Sequence, residues 1–160
     1  FLSHGLDGFA HATSALVGEA IGARNRNLLR GSIVAATLMA SCVAVGYTLI
    51  YGLFGASLLG LLTDIPELLT LAGEFLPWMV LSPVLSVWSY QLDGIFIGAT
   101  RAAEMRNAML TSVALYTAAI FTLPDFMGNH GLWASLMLFM LLRAITLGIF
   151  YPRIERIVER

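Results

Sequence analysis

The residues in this sequence with the greatest capacity for chemistry are carboxylates placed inside apolar stretches. Asp93 follows a charge-free run from Phe75 to Leu92 and begins the segment 93–109, DGIFIGATRAAEMRNAM. A carboxylate inside a bilayer costs roughly 2.5 to 3.5 kcal/mol on insertion scales, so such a group usually faces an interior or a water-filled cavity. Asp93 is therefore the first candidate for a functional ion or proton site, with a structural bond to a neighbouring helix as the alternative.

Four other polar residues within apolar segments are candidates for the same site. Asp7 lies in a Leu-Asp-Gly sequence like that of Asp93, and His11 follows it by four residues. His11 could relay protons, although an interhelical hydrogen bond is the alternative. Gln91 could make a polar contact at the site or serve helix packing. Arg143 is a basic residue inside an apolar segment, where an ion pair, snorkelling and a cavity role are all open.

The composition places the chain in a membrane. Hydrophobic residues make up 58% of the sequence, charged residues only 12%, and the mean hydropathy is +0.81. These proportions do not allow a polar surface around a soluble core of this size. The lipid bilayer is thus the predicted partner, and all nine basic residues are arginines without a basic patch suited to nucleic acid.

The cysteine count and the absence of two catalytic motifs argue against an enzyme with a metal or a cofactor. Cys42 is the single cysteine, which excludes a disulfide framework and a thiolate metal site. No His-Glu-x-x-His motif of a zinc hydrolase occurs, and the Gly-x-Gly-Asp motif of a membrane aspartyl protease is also missing. We expect no enzyme activity, no metal and no cofactor.

The hydropathy pattern predicts an all-α, polytopic membrane protein. Five helices are expected, at about 1–23, 28–62, 65–100, 107–123 and 132–151. The first is a poor complete span because it carries His, Asp and Glu, and the chain, which starts without Met, has the look of a fragment. Asp64 is predicted to cap the third helix, Pro77 and Pro83 to kink or locally unwind it, and Pro124 to close the fourth.

Arginines predict the orientation of these helices. They follow the first, third and fifth segments, whereas the loops around Asp64 and Asp125 contain no basic residue. By the positive-inside rule, the C-terminus and the arginine-rich loops are cytoplasmic in a multi-pass protein of the plasma (inner) membrane. The arginines concerned are Arg24, Arg26, Arg30, Arg101, Arg106, Arg153, Arg156 and Arg160.

Two segments also echo one another and predict packing and depth. Gly94 and Gly98 form a G-x-x-x-G step, which predicts close contact with another helix. Asp7 precedes Arg24 by 17 residues, about 25 Å of helix, whereas Asp93 precedes Arg101 by eight, about 12 Å. Asp93 is therefore expected nearer the middle of the membrane, and Asp7 in the outer half.

LDGFAHATSALVGEAIGARNR (6–26) and QLDGIFIGATRAAEMRN (91–107) closely resemble the eighth and tenth helices, with their cytoplasmic turns, of multidrug and toxic compound extrusion (MATE) transporters, in the DinF-like branch. The resemblance covers essentially residues 1–160 as helices eight to twelve of twelve. It implies a partial C-terminal lobe, with five transmembrane helices forming most of the second of two lobes and a missing N-terminal lobe as its partner.

The resemblance also implies a function. Such transporters export amphipathic, often cationic, compounds in exchange for protons or sodium ions. Asp93 matches a tenth-helix carboxylate that helps to bind the coupling cation in some branches, and Asp7 matches the acidic position of the eighth-helix motif. Ser14 departs from the pattern, since relatives often carry a carboxylate there. Members resembling this branch often have coupling aspartates in the first lobe, so Asp93 could assist or lead.

Two other functions remain open at this stage. A lipid or lipid-linked oligosaccharide flippase of the same superfamily would share the architecture, and arginines and lysines in the other lobe would favour it. A purely structural membrane subunit would use its polar residues only for packing.

In the favoured mechanism, Asp93 takes up a proton from outside and releases it inside as its surroundings change. Each charge that moves across a potential of 100 mV supplies about 2.3 kcal/mol, which drives the cycle.

Overall fold

The computed structural model describes residues 2–158, so the predicted contribution of Arg160 to the basic end lies outside the described residues. This part of the chain is helical and contains no β-strand. The five long helices are α1 (Leu2–Gly22), α2 (Arg26–Leu62), α3 (Pro66–Gly98), α4 (Ala102–Met127) and α5 (Asn129–Phe150), and a short α6 (Pro152–Glu155) follows. The predicted all-α class is confirmed.

Four of the described helical segments are long and apolar enough to cross a membrane. They are α2, α3, α4 and the continuous segment Asn129–Glu155. Many of their large apolar side chains point outward, as do Leu61 (82% exposed) and Phe126 (86% exposed). Lipid is the solvent that this surface suits. The first helix, α1, does not meet the same criterion, in agreement with its predicted weakness as a span.

The third helix, α3, is the centre of the bundle. It packs along α1, α2 and α5 and touches α4, which forms an antiparallel pair with α5. One apolar core lies where α1, α2, α3 and α5 meet near the arginine-rich loops and includes Phe96, Leu29 and Leu147. A second, smaller core joins Leu6 of α1 to Val87 of α3.

The close approach of α1 and α3 depends on the two glycines of the G-x-x-x-G step. A Cβ added to Gly94 would lie 2.9 Å from the Cα of Ala10, and one added to Gly98 would lie 3.0 Å from the Cα of Ser14. In each case the carbonyl oxygen of the same α1 residue would be closer still. The predicted packing face is therefore confirmed, and its partner is the backbone of α1.

The same contacts fix the register between α1 and α3. Ala10 meets Gly94 and Ser14 meets Gly98, so the two helices run parallel. Asp7 precedes Ala10 by three residues and Asp93 precedes Gly94 by one, which places the two carboxylates within about 3 Å of the same level. The expectation that Asp93 lies much deeper is wrong, because α1 continues about 12 Å beyond the end of α3 and Arg24 is not level with Arg101.

Helices α1 and α3 end in the same kind of turn. Arg24 (φ 48°) and Thr100 (φ 55°) each adopt the left-handed conformation two residues after a glycine. The following amides reach back five residues, from Asn25 to the carbonyl of Ala20 at 3.1 Å and from Arg101 to that of Phe96 at 2.9 Å. This is the hydrogen-bond pattern of a Schellman motif. The segments at the ends of α1 and α3 are therefore similar in backbone structure as well as in sequence.

The prolines of α3 do not unwind it. The helix is continuous across Pro77 and Pro83. At Pro83, neighbouring hydroxyls donate to the backbone carbonyls beside the proline. Proline 83 leaves the carbonyl of Met79 without its helical donor, and Ser82 Oγ donates to that oxygen at 2.9 Å. The next carbonyl, that of Val80, accepts from Thr48 of α2 at 3.0 Å.

Three predicted helix boundaries also need correction. Asp64 does not cap α3, since Ile65 occupies the N-cap and makes no side-chain bond there. Proline 124 lies inside α4, which begins at Ala102 and reaches Met127, so the fourth helix is longer at both ends than predicted. The turn before α5 is reduced to Gly128 (φ 57°), a conformation that glycine adopts without strain.

The glycine contact leads to a stability prediction. Gly94→Ala should destabilise the protein by about 1 to 3 kcal/mol, because the new Cβ meets backbone that cannot rotate away. Gly46→Ala on α2 is the matched control, since a Cβ there has no neighbour within 4 Å. Thermal unfolding of the purified full-length protein that contains this chain would measure both, and equal melting temperatures would contradict the prediction.

Candidate functional site

The centre of the candidate site is an ion pair between α3 and α5. Arg143 Nη2 lies 2.8 Å from Asp93 Oδ2, and Arg143 Nε donates to Asp93 Oδ1 at 3.2 Å. Two parallel N–H bonds to the two carboxylate oxygens give the bidentate geometry in which guanidinium and carboxylate fit best. The structure thus brings together two of the residues predicted for the site.

The pair is mostly shielded from solvent in the chain itself. The Asp93 side chain is 14% exposed and that of Arg143 21% exposed. At this burial each charge has lost much of its hydration, so each depends on the other for its stabilisation. The carboxylate is nevertheless not completely sealed from a small cation or water.

Gln91, which precedes Asp93 by two residues, lies in a different polar cluster. Its side chain is buried, accepts a hydrogen bond from Thr13 of α1 at 2.9 Å and donates to Thr37 of α2 at 3.3 Å. Three helices are therefore joined by one amide. This arrangement corresponds to the packing alternative given for Gln91, because no contact to the Asp93 pair is formed.

Asp7 and His11 lie on the outward face of α1. The His11 Nε2 to Asp7 Oδ2 distance is 3.8 Å, and the two side chains are 76% and 58% exposed, respectively. They are four residues apart on one helix face. Although Asp7 is nearly level with Asp93 along the parallel helices, each carboxylate has its own basic partner, and the two do not form a shared acidic pair.

A small cavity lies beside the ion pair, between α3 and α5. Its volume is about 160 Å³, and it is lined by Ser82, Ser86, Tyr90, Trp133, Leu136, Met137 and Met140. The lining is apolar and aromatic with a few hydroxyls. Flexible methionines and aromatic rings suit ligands of variable shape. Tyr90 connects the two features, since it precedes Asp93 by three residues on α3.

Sequence reasoning missed a polar cluster at the opposite end of these helices from the arginine-rich loops. Trp78 Nε1 donates to His130 Nδ1 at 3.0 Å, and His130 Nε2 lies 3.3 Å from Glu74 Oε1. Phe75 packs against the same imidazole with ring centroids 4.8 Å apart. The spacing of Glu74, Phe75 and Trp78 on one face of α3 was the available signal, but it does not identify the partner helix.

Metal-binding side chains are not grouped in the part of the chain that the structure describes. Among residues 2–158, no three His, Cys, Asp or Glu side chains come close enough to hold a metal ion together. The candidate site therefore consists of one carboxylate, one guanidinium and the neighbouring cavity.

Apolar helices around a shielded acid–base pair and an adjoining cavity define a multi-pass membrane protein with a polar site between its helices. The chain belongs to the MatE family, whose members are transporters: the family model MatE matches residues 3–123.

Similar proteins agree with this assignment. The chain is 42% identical over 153 residues to DNA damage-inducible protein F of Escherichia coli (strain K12). This match covers 96% of this chain and 33% of that protein. It is 26% identical over 140 residues to Protein DETOXIFICATION 43 of Arabidopsis thaliana, covering 88% of this chain and 27% of the relative. The chain therefore spans about a third or less of the length of these curated relatives.

A solved structure has the same fold. The crystal structure of the eukaryotic MATE transporter AtDTX14 matches with a TM-score of 0.86 and 18% identity, covering 99% of this chain and 36% of that one. At this identity the match supports the helical arrangement alone. The predicted family and fold are confirmed, whereas the roles assigned to Asp93, Asp7, Gln91, His11 and Arg143 stay predictions.

The ion pair predicts a strong coupling between its two residues. Arg143→Gln or Asp93→Asn alone should destabilise the protein by about 3 to 5 kcal/mol, because each leaves the other group poorly paired in a shielded site. Asp93→Asn combined with Arg143→Gln should cost clearly less than the sum, by roughly 1 kcal/mol or more. Unfolding free energies of the full-length protein in mixed micelles would measure this cycle.

The pair Arg101 and Glu104 is the matched control for the cycle. It is also an arginine–carboxylate pair, with Glu104 13% exposed, but Arg101 is 40% exposed and a single N–H bond of 3.2 Å joins them within one helical turn. A coupling of only about 0.3 to 0.5 kcal/mol is expected there. Similar coupling energies in the two cycles would show that Asp93 and Arg143 behave as an ordinary surface pair.

Proposed function

We propose that this chain forms most of the second lobe of a cation-coupled antiporter that exports amphipathic or cationic compounds. The observation that carries the proposal is the shielded bidentate pair of Asp93 and Arg143 between two membrane helices. A membrane-embedded carboxylate with a single basic partner is a group that a proton or a sodium ion can compete for.

Competition for Asp93 is the first step of the proposed mechanism. With Arg143 bound, the carboxylate has both oxygens occupied by N–H donors. A proton on one oxygen removes the negative charge and leaves the guanidinium without its partner in a shielded place, a state that costs free energy. The guanidinium then gains by moving toward water, so cation binding favours separation of α3 from α5 at this level.

Separation of α3 and α5 is the second step, and it acts on the cavity. The lining residues Tyr90 and Met137 belong to α3 and α5, so the volume between them depends on how closely the two helices pack. Each charge moved across 100 mV supplies about 2.3 kcal/mol, which can bias two conformations strongly toward one. Cation and substrate then occupy the site alternately.

Asp7 would contribute to cationic substrates by a separate interaction. Its carboxylate is exposed on the α1 face and lies near the level of Asp93. An exposed acid in a crevice raises the local concentration of cations. The remaining length of the antiporter, including its first lobe, would supply the opposite wall of such a crevice.

The arginine-rich loops support an orientation in the plasma (inner) membrane. The ends of α1, α3 and α5 carry arginines, and Glu155 after α5 binds both Arg26 and Arg30 at the start of α2, at 3.3 Å and 2.6 Å. These ends therefore lie on one side of the bundle. The positive-inside rule makes that side, and with it the C-terminus, cytoplasmic.

Transport into inside-out vesicles tests the proposed function. Energised vesicles carrying the full-length protein would be supplied with a cationic dye under a proton gradient or a sodium gradient. Asp93→Asn should lower dye uptake about tenfold or more, which corresponds to roughly 1.4 kcal/mol in the driven step. Asp64→Asn, which removes an exposed acid from a loop, should leave uptake unchanged.

Two measurements keep this test decisive. Asp93→Asn combined with Arg143→Gln removes the pair without leaving an unpaired charge, so loss of uptake in a well-folded double variant supports coupling at Asp93. Uptake that persists in Asp93→Asn would instead give the pair a structural role. If the unmodified protein moves no dye under either gradient, the antiporter is contradicted, and lipid scrambling in the same vesicles would then favour a flippase.

A further inference from the structure

A recess lined by arginines lies at the end of the bundle where α3 and α5 terminate. Its volume is about 450 Å³, and Arg101, Arg153, Arg156 and Ile157 line it. We call these residues the arginine recess. No part of the transport mechanism above uses it.

Two separate parts of the chain place guanidinium groups in the arginine recess. Arg101 is the N-cap of α4 and follows the left-handed Thr100. Arg153 lies in α6 with its guanidinium carbon 4.8 Å from the centre of the Phe150 ring, and Arg156 follows the same short helix. The stacking on Phe150 limits the positions that Arg153 can take.

Within residues 2–158, neighbouring carboxylates do not neutralise the arginine recess. Glu155 lies between Arg153 and Arg156 in sequence but binds Arg30 through both oxygens, at 3.0 Å and 2.6 Å. Glu104 makes one bond of 3.2 Å to Nη1 of Arg101, which leaves other donors of that guanidinium. The recess therefore keeps an excess of positive charge and several N–H donors.

We propose that the arginine recess binds the phosphate of an anionic phospholipid headgroup. Guanidinium groups present paired N–H donors that match phosphate oxygens, and basic pockets at the end of membrane helices are suited to such headgroups. Ile97 and Ile149 lie in the last turns of α3 and α5, the helices that end next to the recess, and are 50% and 69% exposed. Acyl chains can cover these side chains, whereas a free phosphate ion could not.

This lipid site goes beyond the proposed antiport and does not depend on it. It requires only that the end of the bundle with the arginines lies at the headgroup level, which the lengths of α3 and α5 allow. The test therefore measures binding of lipid, independently of any transport by the protein.

The experiment compares lipid binding by the full-length protein in detergent at physiological salt. Fluorescent phosphatidylglycerol is titrated against unmodified protein and against Arg153→Gln combined with Arg156→Gln. Each arginine near a headgroup contributes about fivefold in affinity, so the double variant should bind roughly 25-fold more weakly. Phosphatidylcholine, which has no net charge, should bind weakly to both proteins.

The matched control is Arg24→Gln combined with Arg106→Gln. It removes two exposed arginines from the same end of the bundle, outside the arginine recess. Near-unchanged binding in this control supports a defined site. An equal loss in both double variants would mean diffuse surface attraction and would overturn the proposal, as would displacement of the lipid by inorganic phosphate at equal concentration.

Discussion

Most of this structure depends on one constraint, which is that lipid offers no hydrogen-bond partner to a polar group. A buried donor or acceptor between the helices is costly unless the protein itself satisfies it. Among the described residues, the hydroxyl of Ser112 is the one buried side-chain group without a partner. Hydroxyls of Ser82 and Thr48 therefore serve the carbonyls around Pro83. By the same requirement Gln91 bonds to two other helices, and Asp93 is matched by a guanidinium rather than left alone.

The position of α3 follows from these interactions. The glycines of α3 allow close contact with the backbone of α1. The side-chain amide of Gln91 bonds to α1 and α2, and the carboxylate of Asp93 bonds to α5. Small residues lie on one face of α3 and polar residues on others, so α3 can contact several helices at once. A proposed movement of α5 away from Asp93 would break the α3 contact that relies on charge, while the glycine contact with α1 stays.

Composition and hydropathy sufficed to predict the helical class, and the two Asp-Gly segments sufficed to predict the family. The G-x-x-x-G step also identified the packed face of α3. Pairing between distant helices could not be predicted, because Arg143 has several possible partners until the α3–α5 register is known. The predicted depths of Asp7 and Asp93 were wrong for a related reason. The distance from Asp7 to Arg24 can be compared with that from Asp93 to Arg101 only if α1 and α3 end at the same level, and they do not. The pattern also predicts a helix end at Pro124, but α4 continues to Met127, because a helix in lipid can pass a proline when neighbouring groups satisfy the freed backbone groups.

The short helix α6 contributes one side chain to the interior of the bundle, at the end where α1 and α3 stop at different levels. Helix α1 extends past Gly98 by about two turns, and Ile154 of α6 packs in the same core as Val17 and Ala20 of α1. The Ile154 side chain is fully buried in the core that includes Val17 and Leu29. Since α6 follows α5 directly, Ile154 is fixed to the end of that helix. Any tilt of α5 would have to pull Ile154 out of this core or carry the helices packed there with it, so motion at the ion pair and packing at the arginine end are mechanically linked.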